Sequence, residues 1–375
     1  MAKFKVLACG SNSEFQLGIG NEKDQDQLKP TFFADNLDCE VEDHIAVKPI
    51  KISCGGNHTI ILLEDGRAYS SGYNIYGQCG FPSNVEKLEV FTKIPSERKW
   101  RDVSCGWEYT ILVDTKEEVY VCGFGSKGEM GCGLHLTKTE LRKANWNLLG
   151  AKIKTLKCSL DFSIIELEDG RLFGCGNCRK GQLGKQQPIV VNGKPKPRPA
   201  IYEPELLDFG LLQIRHFSVC RENTIILDEG GLLHAFGRNE VSQEIFKETE
   251  VLDLQTMWSS YHCLVRKNDS TLHIRLFGNN SHGQMFPKDV LPFELSSFCV
   301  GSEHGLISSK EGSVYAWGWG EHGNCGKCRI GQLNKTSPSV DEMVTFSYLN
   351  ELYRDTCPLV LLACGCATSW IVVSI

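Results

Sequence analysis

The 375-residue chain has no run approaching the roughly 18 apolar residues needed to cross a bilayer, and its first residues, MAKFKVLACGSNSEF, hold no apolar core of signal-peptide length. A soluble, intracellular protein is expected, located in the cytoplasm and in the nucleus as well. Positive charge is not in excess either. Forty Lys and Arg stand against 46 Asp and Glu, a net charge of -6 and a pI near 6.0. Such a chain lacks the field that releases counterions from nucleic acid, so direct binding to chromatin or bulk RNA is disfavoured. Eighteen cysteines fall well short of the density of a small disulfide scaffold, and in a reducing cytosol they read first as packing thiols. The apolar runs are short, β-branched and broken by glycine, without the 3.6-residue period of helices, which removes helical solenoids. No phosphate-binding loop is present, because the Gly-x-Gly runs follow strand ends instead of leading a strand into a helix.

What is present is a repeat. A glycine closes an apolar run and is followed by a polar pair and a Gly-Gln-Leu-Gly-like turn: ACGSNSEFQLG at Gly10, SSGYNIYGQCG at Gly72, VCGFGSKGEMG at Gly123 and GCGNCRKGQLG at Gly176. Weaker copies at Gly237, Gly278 and Gly318 bring the number to seven. A second half-motif, a small or cysteine-rich strand entering a polar loop and then an apolar strand, is clearest at Cys54, Cys105, Cys158 and Cys364, with degenerate copies around Val219, Ser259 and Val300. Between the halves lie hairpin signals. Glu64-Asp65-Gly66, Glu168-Asp169-Gly170, Glu229-Gly230-Gly231 and Glu311-Gly312 offer residues that accept positive φ. Thr115 to Glu118 and Lys267 to Ser270 lack that glycine and are expected to turn less tightly.

The chain opens on a first half-motif and finishes on a second one, which a ring completes economically by pairing its first and last strands and removing exposed sheet edges. The expected fold is therefore all-β, a seven-bladed β-propeller closed by pairing of N- and C-terminal strands, forming one domain over residues 1–375. Longer connections fall at 21–51, 185–208 and 327–357, and the proline-rich middle one is expected to be a loop.

Two Cys-x-x-Cys pairs, Cys175 with Cys178 and Cys325 with Cys328, have the spacing of a four-thiolate zinc site or a thiol-exchange motif. The repeat accounts for them otherwise. Cys175 aligns with Cys9 and Cys122 before the closing glycine, Cys325 and Cys79 replace the leucine of Gly-Gln-Leu-Gly, and the pairs belong to nonadjacent repeats. His58 and His304 occupy matching loop positions with no serine or cysteine nucleophile beside them in a recognisable motif. No catalytic, cofactor or metal residue is assigned, and no enzyme is expected.

Aromatic and polar residues in or near the loops have the character of interface anchors: Trp107, Glu108, Trp258, Tyr261, His262, Glu303, His304, Trp319, Glu321, His322 and Trp370. Trp317 and Trp100 are assigned to strands.

These repeats resemble the regulator-of-chromosome-condensation propellers over almost the whole chain. The strings CGGNHT (Cys54 to Thr59), CGW with Thr-Ile-Leu-Val-Asp (Cys105 to Asp114), GSEHG (Gly301 to Gly305), WGWGEHGNCG (Trp317 to Gly326) and GCATSWIVV (Gly365 to Val373) are similar to a fungal branch of that family, the alpha-tubulin suppressor or killer-toxin-insensitivity proteins. MWSSYH (Met257 to His262) is a looser match. The resemblance implies a non-catalytic adaptor whose partner is the small metal-binding, zinc-finger-like diphthamide-biosynthesis protein. It also implies support of diphthamide formation on elongation factor 2 and of Elongator-dependent modification of the transfer-RNA wobble uridine, with Elongator a further partner. The wider family implies a second reading, nucleotide exchange on a Ran-like small GTPase.

Overall fold

A computed structural model describes residues 2–238, 246, 250–267, 271–286, 291–328 and 339–375. The chain opens with β1 (Phe4–Gly10), β2 (Gln25–Pro30) and the short β3 (Phe33–Ala34). Blade 1 follows as β4 (Pro49–Cys54), β5 (His58–Leu63), β6 (Ala68–Tyr73) and β7 (Lys87–Lys93), and blade 2 as β8 (Trp100–Cys105), β9 (Tyr109–Asp114), β10 (Val119–Phe124) and β11 (Lys138–Lys143). Blade 3 has β12 (Ile153–Cys158), β13 (Phe162–Leu167) and β14 (Leu172–Asn177); after a small hairpin of β15 (Ile189–Val191) and β16 (Lys194–Lys196) it is completed by β17 (Ala200–Leu206). Blade 4 is β18 (Ile214–Val219), β19 (Asn223–Asp228) and β20 (Leu233–Gly237), and blade 5 is β21 (Glu250–Thr256), β22 (Ser260–Arg266) and β23 (Leu272–Gly278). Blade 6 comprises β24 (Leu295–Val300), β25 (His304–Ser309), β26 (Val314–Trp319) and β27 (Thr345–Tyr353), the last entered from the short helix α1 (Val340–Val344). Blade 7 joins β28 (Leu359–Cys364) and β29 (Thr368–Ser374) to β1 and β2.

The fold is an all-β, seven-bladed β-propeller. It closes through the terminal strands, with Phe4 opposite Ser374 and Gly10 opposite Thr368 in the antiparallel β1–β29 pair. Among the described residues no helix is long and apolar enough to cross a membrane. Blades 1, 5, 6 and 7 belong to one compact unit (Met1–Tyr73, Lys87–Lys93, Glu248–Ile375) and blades 2, 3 and 4 to another (Asn74–Glu86, Ile94–Lys247). Each unit has its own core. In the first, Trp370 meets Phe91 edge-on at 5.8 Å, and Trp317 meets Phe286 in the same way at 4.9 Å. In the second, Tyr109, Ile111 and Val121 pack with Ile165 and Phe173, and Phe162 and Leu183 pack with Ile201 and Phe217. The second strand of a blade, β5, β9, β13 or β25, is buried at every position, which is why those stretches read as continuous apolar or small-residue runs.

Every blade carries the same backbone lock. Gly10, Gly72, Gly123, Gly176, Gly237, Gly278 and Gly318 end a strand with φ between 102° and 134°. A Cβ on any of them would overlap a carbonyl oxygen of the loop before the neighbouring strand: Ala367, Asn57, Glu108, Asp161, Glu222, Ser259 and Glu303 in turn. The residue after each glycine donates its N–H to that same carbonyl, from 2.8 Å (Ser11, Tyr73, Phe124, Asn177) to 3.3 Å (Arg238). Only glycine combines that φ with so close an approach.

A second contact ties blade to blade. The turn carbonyl of Gln78 accepts from the Thr110 hydroxyl at 2.8 Å and the Cys122 thiol at 3.6 Å; that of Glu129 accepts from Ser163 at 2.9 Å and Cys175 at 3.4 Å. The Asn324 carbonyl does the same for Ser369 and Cys9. In blade 6 the equivalent of Cys175 is Trp317, whose indole N–H reaches the Gln284 carbonyl at 2.9 Å, and Gly305 leaves room for its ring. The Cys325 thiol lies 3.4 Å from the Trp317 carbonyl and that of Cys178 3.2 Å from the Arg198 carbonyl. Burial raises the pKa of Cys175, Cys178 and Cys325.

Three expectations are corrected or limited. The hairpin at Thr115 to Glu118 is as tight as its glycine-bearing counterparts: Glu117 takes φ 64° where Gly66 has 83°, and the Asp114 N–H reaches the Glu118 carbonyl at 3.0 Å. The Glu117 carboxylate accepts from Arg101 at 3.0 Å and from the Ile153 N–H at 3.2 Å, which holds the left-handed conformation in place of glycine. The proline-rich stretch 185–208 is not all loop, since β17 is the edge strand of blade 3 and an edge tolerates Pro204 and polar alternation. The hairpin at Lys267 to Ser270 and part of the 327–357 connection lie outside the described residues.

Replacing Gly123 with alanine should destabilise the fold by about 3 kcal/mol or more, because both φ and the Glu108 carbonyl oppose the methyl group. Gly150→Ala, at φ 75° with no atom within 4 Å of the added Cβ, should cost only about 1 kcal/mol. Urea unfolding of the two variants side by side tests the difference, and equal losses would remove the lock from the account.

Candidate functional site

The loops between first and second strands carry Trp107, Glu108, Trp258 and Glu303, and those of blades 5, 6 and 7 are stitched together by main chain. The Trp258 N–H donates to the Ser302 carbonyl at 2.7 Å, and the Ser302 N–H donates to the Gly365 carbonyl at 3.1 Å. Glu303 sits at the centre of this face. Its carbonyl takes the Trp319 N–H at 2.9 Å, and its carboxylate takes the Ser259 hydroxyl at 2.7 Å and the Gln284 amide at 3.0 Å. Trp258 and Trp319 are half-buried and are tied by their main-chain N–H groups to the Ser302–Glu303 loop that carries this carboxylate. The Trp319 ring stacks on His282 with centroids 4.7 Å apart. On the next turn Glu321 and His322 are exposed, with His322 Nδ1 2.8 Å from an Asp24 carboxylate oxygen whose partner oxygen accepts the Asn12 N–H at 2.7 Å. The structure thus brings Trp258, Glu303 and Trp319 together and sets Glu321 and His322 on the turn that follows.

Trp107 and Glu108 belong to the other unit. Trp107 is 38 % exposed and its N–H points to the Leu160 carbonyl at 3.4 Å; partial burial raises the Glu108 pKa.

Four sequence-derived candidates are corrected. Tyr261, His262, His304 and Trp370 lie inside strands β22, β25 and β29 and are buried, so they have no surface to offer a partner. His304 Nε2 lies 3.0 Å from the Ser369 hydroxyl and 3.1 Å from the Thr368 carbonyl, His262 Nε2 lies 3.3 Å from the Gln284 carbonyl, and the Trp370 indole donates to the Thr368 hydroxyl at 3.1 Å. The physical reason is strand phase. The residue whose carbonyl meets the closing glycine is still in the loop, whereas the next one begins a strand whose first four positions are buried. His58, aligned with His304, begins β5 and is buried as well.

Residues missed from sequence include His282, Gln284, Ser259 and Asp24. The signal for His282 was available, since the repeat places His282-Gly283-Gln284 level with His322-Gly323-Asn324. Also missed was Glu129, which occupies the position of Gln16, Gln78, Gln182 and Gln284 and accepts the Lys127 N–H as those glutamines accept the N–H two residues before them. Burial pushes the Glu129 carboxyl up to about 7. Among the described residues no group of three or more His, Cys, Asp or Glu side chains is placed to hold a metal ion.

Seven locked blades, built on one repeated glycine motif and closed by the β1–β29 pair, define a repeat propeller that presents loop surfaces. The chain belongs to the regulator of chromosome condensation (RCC1) repeat family. The repeat matches residues 5–62, 65–113 and 50–78. An RCC1 repeat-containing protein of Schizosaccharomyces pombe is 30% identical over 390 residues, covering 98% of each chain. The mouse secretion-regulating guanine nucleotide exchange factor is 24% identical over 377 residues, covering 86% of this chain and 75% of that one. Among solved structures, Prp20p of Saccharomyces cerevisiae superposes with a TM-score of 0.73 at 18% identity, over 99% of this chain and 91% of that chain, a likeness of fold.

Two protonation effects of opposite sign follow from the buried groups. Burial lowers the imidazoles of His58, His262 and His304 to about 3, 4 and 4, so below their ordinary 6.5 the unfolded chain takes up protons that the folded chain refuses. Their contribution to stability is complete above pH 6.5 and is lost as pH falls toward 4. Glu129, raised from 4.5 to about 7, binds a proton more tightly in the fold, so its contribution is complete below pH 4.5 and is lost as pH rises through 7. Glu129→Gln should therefore stabilise the protein at pH 8 by on the order of 2 kcal/mol and by less at pH 5. Urea midpoints at both pH values measure this, and a variant no more stable than the parent at pH 8 would contradict the assignment.

Proposed function

We propose that this chain is a non-catalytic adaptor that binds the small zinc-finger-like diphthamide-biosynthesis protein, acting in the cytoplasm and the nucleus. Through that complex it would support diphthamide formation on elongation factor 2 and Elongator-dependent modification of the transfer-RNA wobble uridine. The observation that carries the reading is the Trp258–Glu303–Trp319 group, in which two half-exposed tryptophans are tied through their main-chain N–H groups to a loop whose Glu303 carboxylate is held by two hydrogen bonds. Tryptophan anchors beside a polar rim are the usual composition of an interface centre, and rigid support lowers the entropy lost on binding. Both tryptophans lie in the segments similar to the fungal alpha-tubulin suppressor proteins, WGWGEHGNCG and MWSSYH. Glu321 and His322 would form the rim, with Trp107 and Glu108 as further contacts. The role suited to such a platform is to cover the partner's metal site and restrict which proteins reach it.

A second reading, exchange of guanine nucleotide on a Ran-like GTPase, is supported by the similarity to the mouse exchange factor over 86% of this chain. Its support is at the level of the family, and fold likeness alone is a weak warrant for activity.

Titration calorimetry of the chain against the recombinant metal-bearing partner, with metal content checked before and after mixing, should give tight one-to-one binding. Trp258→Ala and Trp319→Ala should each weaken it by about 2 kcal/mol, roughly 30-fold. Unchanged affinity in a folded double variant would reject these anchors. Absent binding, together with accelerated release of labelled nucleotide from the GTPase, would favour exchange.

A further inference from the structure

Two sets among the eighteen cysteines contrast. Cys9, Cys79, Cys122, Cys175 and Cys325 are fully buried, and four of them lie against carbonyl oxygens of the turns or strands beside them. Cys299 and Cys364 are different. They are partly exposed on β24 and β28, at the seam of blades 6 and 7, and their sulfurs are 3.3 Å apart. We propose that Cys299 and Cys364 form a modification site, oxidised reversibly to a disulfide that cross-links blade 6 to blade 7.

The geometry supports the bond. A disulfide needs its sulfurs at about 2.05 Å, so each thiol has to move by only about 0.6 Å, within reach of a small side-chain rotation. The strands that carry them are fixed side by side by the Ser302 N–H on the Gly365 carbonyl at 3.1 Å and the Ala367 N–H on the Ser302 hydroxyl at 3.4 Å. No large backbone movement has to precede the cross-link. The two residues are 65 apart in sequence, so the bond closes a long loop at a seam otherwise held by packing and hydrogen bonds.

The oxidant is a low-molecular-weight disulfide such as oxidised glutathione. The Cys299 thiol loses its proton and attacks one glutathione sulfur, breaking that S–S bond; the departing glutathione thiolate takes up the proton. Cys364 then loses its proton, displaces the second glutathione from Cys299 and completes the protein disulfide. In sum, two protein thiols lose two protons and two electrons, and one glutathione disulfide becomes two glutathione thiols. Burial and the adjacent Cys299 raise the Cys364 pKa, so its thiolate is scarce at neutral pH and closure is slow. The same feature favours the disulfide once formed, because the strongly oxidising disulfides are those whose reduced thiolate is stabilised. Cys54 and Cys366 are the competing partners; the Thr368 hydroxyl lies 3.9 Å from the Cys54 sulfur, and Cys366 is also partly exposed.

The test uses the full chain in oxidised glutathione, followed by blocking of free thiols with N-ethylmaleimide and peptide mapping. Two of the eighteen thiols should be lost as a peptide joining Cys299 to Cys364, and dithiothreitol should restore both. Cys299→Ser and Cys364→Ser should each abolish the linked peptide, while Cys39→Ser, at an exposed position, should leave it intact. The proposal fails if Cys299 and Cys364 remain alkylated when Cys39 has been modified, or if Cys364 pairs with Cys54 or Cys366 instead. Should a serine variant not fold, the map of the parent chain decides alone. The result does not depend on which protein partner the chain binds.

Discussion

The close approach between a strand-ending glycine and the carbonyl of the preceding loop is the constraint on which each blade depends. It is met seven times by the same geometry, with positive φ at the glycine and an N–H from the next residue on the shared oxygen. The lock fixes where the second strand begins and where the third ends, and so fixes register in sheets whose side chains must not slip by one position. It also aims the residue after the glycine out of the sheet. Trp319, Phe124 and Tyr73 all occupy that place, and twice the ring there meets an aromatic from the equivalent turn one repeat earlier in the chain: Trp319 on His282, Phe124 on Tyr76. The stack at the candidate surface is thus a repeat feature put to use.

A one-residue boundary separates what the fold consumes from what it leaves available. Glu303 lies just before β25 and is partly exposed, whereas His304 is fully buried and spends its imidazole on blade 7. Asn57 and His58 divide in the same way, exposed against buried. At His304 the neighbouring blade supplies hydroxyl and carbonyl partners to Nε2, which offsets part of the cost of burying the ring.

This boundary explains what was readable from sequence. The glycines, their phase and the open halves at the two ends specified seven blades and the β1–β29 closure, because each reports a backbone geometry that few residues tolerate. The outer strands were harder, since β11 and the second half of β17 are largely exposed and polar and carry no apolar alternation. Glu117 concealed a tight turn because an ion pair can stand in for glycine. Tyr261, His262, His304 and Trp370 have rings that suit interfaces and cores equally, and only strand phase separates the two. The loop positions of Trp258 and Glu303 follow from the half-motif, whereas Trp319 ends β26 and its nearness to them is a property of the fold.

The pairing of β1 with β29 has a consequence in time. β29 leaves the ribosome about 360 residues after β1, so at ordinary synthesis rates the first strand waits roughly 20 to 70 seconds with its hydrogen-bonding edge open. Throughout that interval the nascent chain presents an unpaired edge rich in apolar residues, Phe4, Val6 and Ala8 among them, which the finished protein buries. Cellular yield of this protein therefore depends on how that edge is shielded during translation as well as on the stability of the completed ring.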